Sequence, residues 1–317
     1  MKRNAVIGSR GSDLALWQAN YIKERLTSLF TDIDFEIKII RTTGDQLQDI
    51  ALSKIGDKGL FTRQIETELL EGGIDFAVHS LKDLQTEQPE GLCIGAVCER
   101  EKPNDVFISR NYQSIGELPS GARIATGSLR RRSQLLNMRP DLSIAEIRGN
   151  VPTRLEKYLS SDLDGMILAY AGIHRLQLNS DICHPIPIDT MLPAVGQGAV
   201  AVEVRQDDEQ MLGMASALDH KMTRFCVTAE RAFLRRLEGG CQVPIGAIAS
   251  VEGEMIRLEG MVSSLDGSVM YREAISGKSE DADRVGRDLA ETLIGLGAER
   301  LLEEARGAAG GTTGAPL

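Results

Sequence analysis

The 317-residue chain carries 36 basic and 46 acidic side chains, a net charge of −10, with 42% hydrophobic and 26% charged content. That balance furnishes cores for two or three domains of about 100–150 residues each. It opposes a general nucleic-acid binder, whose attraction to phosphate needs a basic surface. The five cysteines (Cys93, Cys98, Cys183, Cys226, Cys241) are odd in number and scattered, which gives no disulfide framework. With His79, His174, His184 and His220 they form no ligand spacing, so no metal is expected. No window approaches the roughly 18 apolar residues of a membrane span, and Met1–Ile7 holds no apolar stretch of signal-peptide length. A cytoplasmic protein without a membrane partner is the expectation.

The predicted elements alternate. Ala5–Arg10 reads as a strand, followed by Ser12 or Asp13 as an N-cap and a helix over Leu14–Phe30, where Leu14, Trp17, Tyr21, Ile22, Leu26 and Leu29 recur at helical spacing. Phe35–Ile40 alternates like a strand. The polar stretch Thr42–Lys58 reads as a loop, with Gly59-Leu60-Phe61 after it; its lysine closing over an anion and a solvated loop anchored by Phe61 are equally good readings. A helix near Thr62–Glu71 ends at Gly72-Gly73, and strands follow at Asp75–His79 and Leu92–Val97. The middle of the chain repeats the pattern: strand Arg123–Thr126, helix Leu129–Met138 stopped by Pro140, strand Ser143–Ile147, a helix from Pro152, and strand Gly165–Ala169. One further apolar strand, Val200–Val204, precedes a change of character. A long helix (Met222–Leu237), strands near Gly246–Val251, Ile256–Val262 and Val269–Ile275, and a closing helix over Asp281–Ala305 make a small α+β unit. Residues 307–317 are Gly/Ala/Thr-rich and read as disordered. Strand–helix alternation of this kind indicates an α/β layer architecture.

Several motifs are missing. Gly277-Lys278-Ser279 resembles the end of a phosphate-binding loop, but Arg272 occupies the position of its first glycine. There is no dinucleotide fingerprint and no nucleophile elbow. Three constellations remain. Gly239-Gly240-Cys241-Gln242-Val243-Pro244 places a thiol in a glycine-flanked loop; spacing alone fits a small thiol in a turn as well as a covalent attachment point. His79-Ser80-Leu81-Lys82-Asp83 ends a strand with polar groups, where Asp83 either caps the next element or serves as a functional carboxylate, held ionised by Lys82. Thr126-Gly127-Ser128-Leu129-Arg130-Arg131-Arg132 runs a strand into a helix start, a natural anion site. Three successive arginines cannot all point one way, and Arg132 is the expected surface residue. Arg148-Gly149-Asn150 and Arg154 follow the next strand in the same topological place, with Arg175 further on. Arginine clustered on an acidic background points to a local site for carboxylates, which its planar fork binds bidentately.

Taken in order, these pieces resemble the hydroxymethylbilane synthase (porphobilinogen deaminase) family over nearly the whole chain to about residue 305. The matching segments are Ser9-Arg10-Gly11-Ser12 with Leu14–Ala19, Lys58-Gly59-Leu60-Phe61, His79–Asp83, Gly127–Arg131, Arg148-Gly149-Asn150-Val151, Leu192-Pro193-Ala194-Val195-Gly196-Gln197-Gly198 and the Cys241 loop. The resemblance implies two periplasmic-binding-protein-like α/β domains (1–98 with 199–217, and 103–194) and a smaller α+β domain (219–306). It also implies one dipyrromethane cofactor attached through Cys241, on which four porphobilinogen molecules are condensed head to tail with loss of ammonia before hydrolytic release. By similarity, Asp83 is catalytic. Lys82, Asp83, Thr126, Ser128, Arg130, Arg131, Arg148 and Gly149 hold the cofactor. Arg10, Ser12, Lys58, Phe61, Arg148, Arg154, Arg175 and Gln197 meet the substrate. Each porphobilinogen brings acetate and propionate groups, and burying them unpaired would be prohibitive without arginine forks and backbone N–H groups. Two departures stand out: Asp13 and Gln85 occupy places where relatives commonly carry proline. The rival readings are a non-catalytic two-lobed anion binder and a nucleic-acid protein using Arg130–Arg132. The missing leader and the Cys241 loop oppose the first; the net charge and only 4% aromatic content oppose the second. A monomer binding no nucleic acid is expected.

Overall fold

A computed structural model describes residues 3–46, 59–178, 181–237 and 243–310. In chain order the strands are β1 (Arg3–Ser9), β2 (Ile33–Ile39), β3 (Phe76–Ser80), β4 (Leu92–Val97), β5 (Asp105–Ile108), β6 (Arg123–Ala125), β7 (Ser143–Ala145), β8 (Gly165–Ala169), β9 (Cys183–Pro185), β10 (Val200–Arg205), β11 (Ile245–Glu252), β12 (Met255–Ser263) and β13 (Met270–Lys278). The helices are α1 (Asp13–Leu29), α2 (Thr43–Gln46), α3 (Arg63–Leu70), α4 (Leu129–Met138), α5 (Val151–Leu159), α6 (Tyr170–Arg175), α7 (Glu209–Ser216), α8 (Lys221–Arg236), α9 (Ala282–Gly295) and α10 (Ala298–Gly310). Two compact units result, one drawn from the ranges 1–48, 57–102 and 196–224, the other from the remainder.

The first unit is a mixed five-stranded sheet in the order β2-β1-β3-β10-β4. β1 lies parallel to β2 and β3, whereas β10 enters from far along the chain and pairs antiparallel with β3 and β4. Sheets with helices on both faces need apolar central strands, and β3 obliges with Phe76, Ala77 and Val78. On one face α1 contributes Ala19, Ile22 and Leu26 against Ile7, Phe76 and Val202. On the other, α3 contributes Ile65 and Leu69 against Ile40, Ile74 and Ala77. Each fully buried Ile, Leu, Val or Phe among them stabilises the fold by about 1.5–3 kcal/mol.

The second unit contains two sheets. One has the order β7-β6-β8-β5-β9, with β6 parallel to β7 and β8, and β5 antiparallel to β8. This is the topology of the first sheet repeated, so the expected pair of α/β layers is present. The other is the antiparallel β11-β12-β13 meander, packed through Ile256, Leu258 and Val262 on Phe233 of α8, Leu289 of α9 and Leu301 of α10. The closing helix expected over Asp281–Ala305 is two helices. Gly297 breaks it at φ +107°, a conformation strained for any residue with a Cβ. α10 then runs to Gly310, into the stretch read as disordered. No helix of the described residues is long and apolar enough to cross a membrane.

One polar cluster interrupts the first unit's core. His79 on β3 and Glu203 on β10 lie on the sheet face that α3 covers, with His79 Nε2 3.3 Å from Glu203 Oε2. Glu66 of α3 is buried beside them, and Thr62 precedes it by one turn. Burial raises the Glu66 carboxyl above its ordinary range, and the Glu203 charge adds to this against opposing contributions from Thr62, His79 and Arg63. A carboxyl with a raised folded-state pKa favours the fold below the ordinary glutamate range, and that contribution is lost as pH rises through the folded value. Glu66→Gln, neutral throughout, therefore gains stability relative to wild type between about pH 5 and about pH 8 in urea unfolding. An equal difference at both pH values contradicts this.

Candidate active site

Most of the candidate residues sit where strands deliver the chain into helices or turns. In the second unit, β6 ends at Ala125, and Thr126 N–H still bonds to Ala145 of the neighbouring β7. The next three residues turn into α4. Ser128 N–H donates to Thr126 Oγ1 at 3.2 Å, and Ser128 Oγ caps α4 by accepting from Arg131 N at 3.5 Å. The turn after β7 is built the same way. Asn150 Oδ1 accepts from Thr153 N at 2.9 Å as the cap of α5, with Pro152 inside the first turn. Gly149 makes the approach at φ +118°, where a Cβ would lie 2.8 Å from the Thr153 side chain. The two turns adjoin: a Cβ on Gly127 would meet the Ile147 carbonyl oxygen at 3.2 Å. Two capped helix N-termini thus open side by side at the carboxyl ends of adjacent parallel strands, the usual ligand position in open α/β sheets.

The candidate arginines of this unit are not all in one place. Arg130 and Arg131 turn inward and meet one carboxylate, Asp105, the first residue of β5 and fully buried. Arg130 Nη1 donates to Asp105 Oδ2 at 2.7 Å; Arg131 Nη2 and Nε donate to Oδ1 at 2.8 and 3.1 Å. Burial alone would raise the Asp105 carboxyl, but the two guanidinium groups hold it well below the usual carboxylate range. Arg132 is exposed, as expected. Arg148 and Arg154 belong to the α5 entrance, where Arg148 Nη2 bonds to Glu146 at 3.0 Å and Arg154 Nε reaches the Asn150 carbonyl at 3.4 Å. Arg175 is buried at the end of α6.

In the first unit, Arg10 follows β1. Its Nε donates to Asp45 Oδ1 at 3.1 Å, its Nη2 to the same oxygen, and its guanidinium lies 4.3 Å from the centroid of the Phe61 ring. Thr42 Oγ1 also donates to Asp45, at 2.8 Å. Burial pushes the Asp45 carboxyl up, and Arg10 and Thr42 overcome it, leaving the group below its ordinary value. Ser12 occupies the N-cap position of α1 without bonding through its side chain, so its hydroxyl does not cap the helix. Asp83 caps no helix either. It closes the short 3₁₀ turn Leu81–Asp83, fixed by Leu81 N–H on the Ala199 carbonyl at 3.0 Å, and leaves its carboxylate exposed beside half-buried Lys82. Gln197 is buried, and its carbonyl accepts from Arg100 Nε at 2.7 Å. Lys58 and Cys241 lie outside the described residues.

Two carboxylates of this geometry were not among the sequence candidates. Asp105 opens an apolar four-residue strand with every residue buried, and a charge there demands a partner; that was the available signal. Asp45 sits in a polar stretch with nothing to single it out.

Two α/β sheets with arginines at their strand ends, side-chain-capped helix N-termini in the second, and a small α+β layer after them define an α/β protein whose donors suit an anion. Comparison with known proteins narrows this. The family model described as "Porphobilinogen deaminase, dipyromethane cofactor binding domain" matches residues 5–213, and that described as "Porphobilinogen deaminase, C-terminal domain" matches residues 224–295. Porphobilinogen deaminase of Pelotomaculum thermopropionicum is 52% identical over 306 residues, covering 96% of this chain and 98% of its own. That of Carboxydothermus hydrogenoformans is 51% identical with the same coverage. Among solved structures, the methionine binding protein MetQ matches 68% of this chain and 89% of its own at 11% identity and a TM-score of 0.42. The chain belongs to the porphobilinogen deaminase family.

The α5 cap carries a direct prediction. Asn150→Ala loses the bond to Thr153 N–H and destabilises the protein by about 1 kcal/mol, whereas Asn150→Asp keeps it. Urea unfolding distinguishes them; identical losses in both variants would remove the cap from the account.

Proposed function

We propose that this chain is a hydroxymethylbilane synthase, which condenses four porphobilinogen molecules head to tail and releases the linear tetrapyrrole by hydrolysis. Family membership at 52% identity over 96% of the chain is the observation that carries this reading. The buried arginines of the second unit support it independently, because substrate and product are rich in carboxylates. The domains implied by the resemblance (1–98 with 199–217, 103–194 and 219–306) belong to the same proposal, as does action as a cytoplasmic monomer on a small molecule, with neither nucleic acid nor membrane as partner.

The donor set suits a dipyrromethane bearing acetate and propionate groups. Arg130 and Arg131 together bring one more positive charge than Asp105 cancels, and the turns at Ser128 and Gly149 present helix N-termini to an anion. In this reading Lys82, Asp83, Thr126, Ser128, Arg130, Arg131, Arg148 and Gly149 hold the cofactor, with Cys241 as its covalent attachment. When bound, the cofactor supplies the free pyrrole carbon to which the first substrate is joined.

Arg10, Ser12, Lys58, Phe61, Arg148, Arg154, Arg175 and Gln197 serve the incoming substrate. Arginine forks bind its carboxylates, and the Phe61 ring backs the Arg10 guanidinium. Asp83 is the catalytic group. As ammonia departs from the aminomethyl carbon, positive charge spreads into the substrate's pyrrole, and a carboxylate at the pyrrole N–H stabilises it. After the carbon–carbon bond forms, a proton must leave the ring carbon, and Asp83 is the base placed to assist. Exposure on a hydrogen-bonded 3₁₀ turn suits this role, because the carboxylate is open to an incoming ring while its backbone is tied to the sheet through Leu81 and Ala199.

Asp83→Asn is expected to retain fold and cofactor attachment while turnover falls at least about a hundredfold, the scale of lost acid–base assistance. Initial rates of tetrapyrrole formation, with intact mass as the control, check this. Wild-type-like turnover would take Asp83 out of the mechanism.

A further inference from the structure

The Asp105 cluster is unusual in its charge count. Two guanidinium groups and one carboxylate, all nine-tenths or more buried, leave one positive charge in the interior. Burial of an unbalanced charge is costly, and a buried ion pair is weak evidence of a purely stabilising role. Burial and the Arg131 charge both lower the Arg130 pKa, with Asp105 opposing them. The arrangement is nonetheless rigid. Asp105 is held by strand pairing with Ala169 and by Ile186 N–H on its carbonyl at 2.9 Å. Gln134 braces Leu192 with a reciprocal pair of bonds at 2.8 and 3.0 Å, and the Leu192 carbonyl in turn accepts from Arg130 Nη1 at 2.6 Å.

The donors are used unevenly. Both bonds of Arg130 go through Nη1, to Asp105 and to Leu192. No described residue accepts from its Nε or Nη2, the parallel pair of N–H groups that matches a carboxylate bidentately. Arg131 spends its own Nε and Nη2 on Asp105, and Nη1 on the Ile167 carbonyl at 3.1 Å. One arginine is thus committed to the protein and the other half-committed.

From this we infer that Asp105 is a positioning residue, which converts two adjacent arginines into a receptor for a single carboxylate of the bound pyrrole chain. It pins Arg131 and the inner edge of Arg130, cancels one of the two charges, and leaves one charge and one fork for the ligand. Without it the guanidinium groups repel, lose their common anchor and no longer present that fork. The inference rests on the proposed synthase reading and adds a residue that touches neither substrate nor cofactor.

The test separates positioning from mere support of the core. Asp105→Asn and Asp105→Glu are each made in the wild-type chain and in a Cys241→Ser background, and melting temperature is measured with intact mass as the gauge of cofactor loading. Cofactor attachment raises the melting temperature of wild type over Cys241→Ser, since a ligand held only by the folded state stabilises it. Positioning predicts that either Asp105 variant loses at least about half of that difference, or is recovered largely without the added mass. A supporting role alone predicts that both backgrounds drop equally, with the difference and the loading unchanged, and that result overturns the inference. Should Asp105→Asn fail to fold, Asp105→Glu, which keeps the charge and shifts it by one methylene, makes the same comparison. Absence of any added mass in the wild type refutes the synthase reading itself and takes this inference with it, whereas normal wild-type loading with an unchanged difference refutes the inference alone.

Discussion

A carboxylate shared by two arginines inside an α/β unit sets the terms for much else in this protein. Asp105 stands at the start of β5, and Arg130 and Arg131 stand in the first turn of α4. Their meeting fixes the helix start against β5, which lies beyond β8 in the sheet, and commits the strand-to-helix turn at Thr126–Ser128 to one geometry. An interior containing two cations and one anion is tolerable only if something else supplies negative charge or the outer edge stays within reach of water. That edge belongs to Arg130. The same constraint explains why arginine, and not lysine, occupies both positions: a planar group with several donors serves a buried carboxylate and a backbone carbonyl together.

The first unit meets a related demand differently. Its strand-end arginine, Arg10, is satisfied by Asp45 and backed by the Phe61 ring, and it remains partly exposed. Its internal ionisable groups meet between sheet and helix: His79 on β3, the strand that delivers Lys82 and Asp83, Glu203 on the adjacent β10, and Glu66 on the covering α3. Because β10 enters antiparallel beside β3, the Ala199 carbonyl holds Leu81 and so the turn on which Asp83 sits. The turn that carries Asp83 therefore depends on a segment more than a hundred residues later in the chain.

How much of this could be read from the sequence follows from range. The helix over Leu129–Met138 and the strands Leu92–Val97 and Gly165–Ala169 were legible to the residue, because their periodicity and their Pro or Gly boundaries are local. The exposure of Arg132 was legible from helical geometry alone. The convergence of Arg130 and Arg131 was not. Their side chains start about a quarter-turn apart, and their meeting point is supplied by a residue 25 and 26 positions away. β5 and β9, four and three residues long, offer too little pattern to detect, and the Gly297 break hides inside an Ala/Leu/Glu run that continues on both sides. The attachment role proposed for Cys241 comes only from the ordered family motifs, since a thiol between glycines is by itself as consistent with a plain turn.

The most direct test is intact-protein mass spectrometry of the purified chain beside Cys241→Ser. The account predicts a mass excess matching one dipyrromethane in the wild type and none in the variant. An unmodified wild-type mass that persists after incubation with porphobilinogen would contradict it and leave a non-catalytic anion binder as the better description.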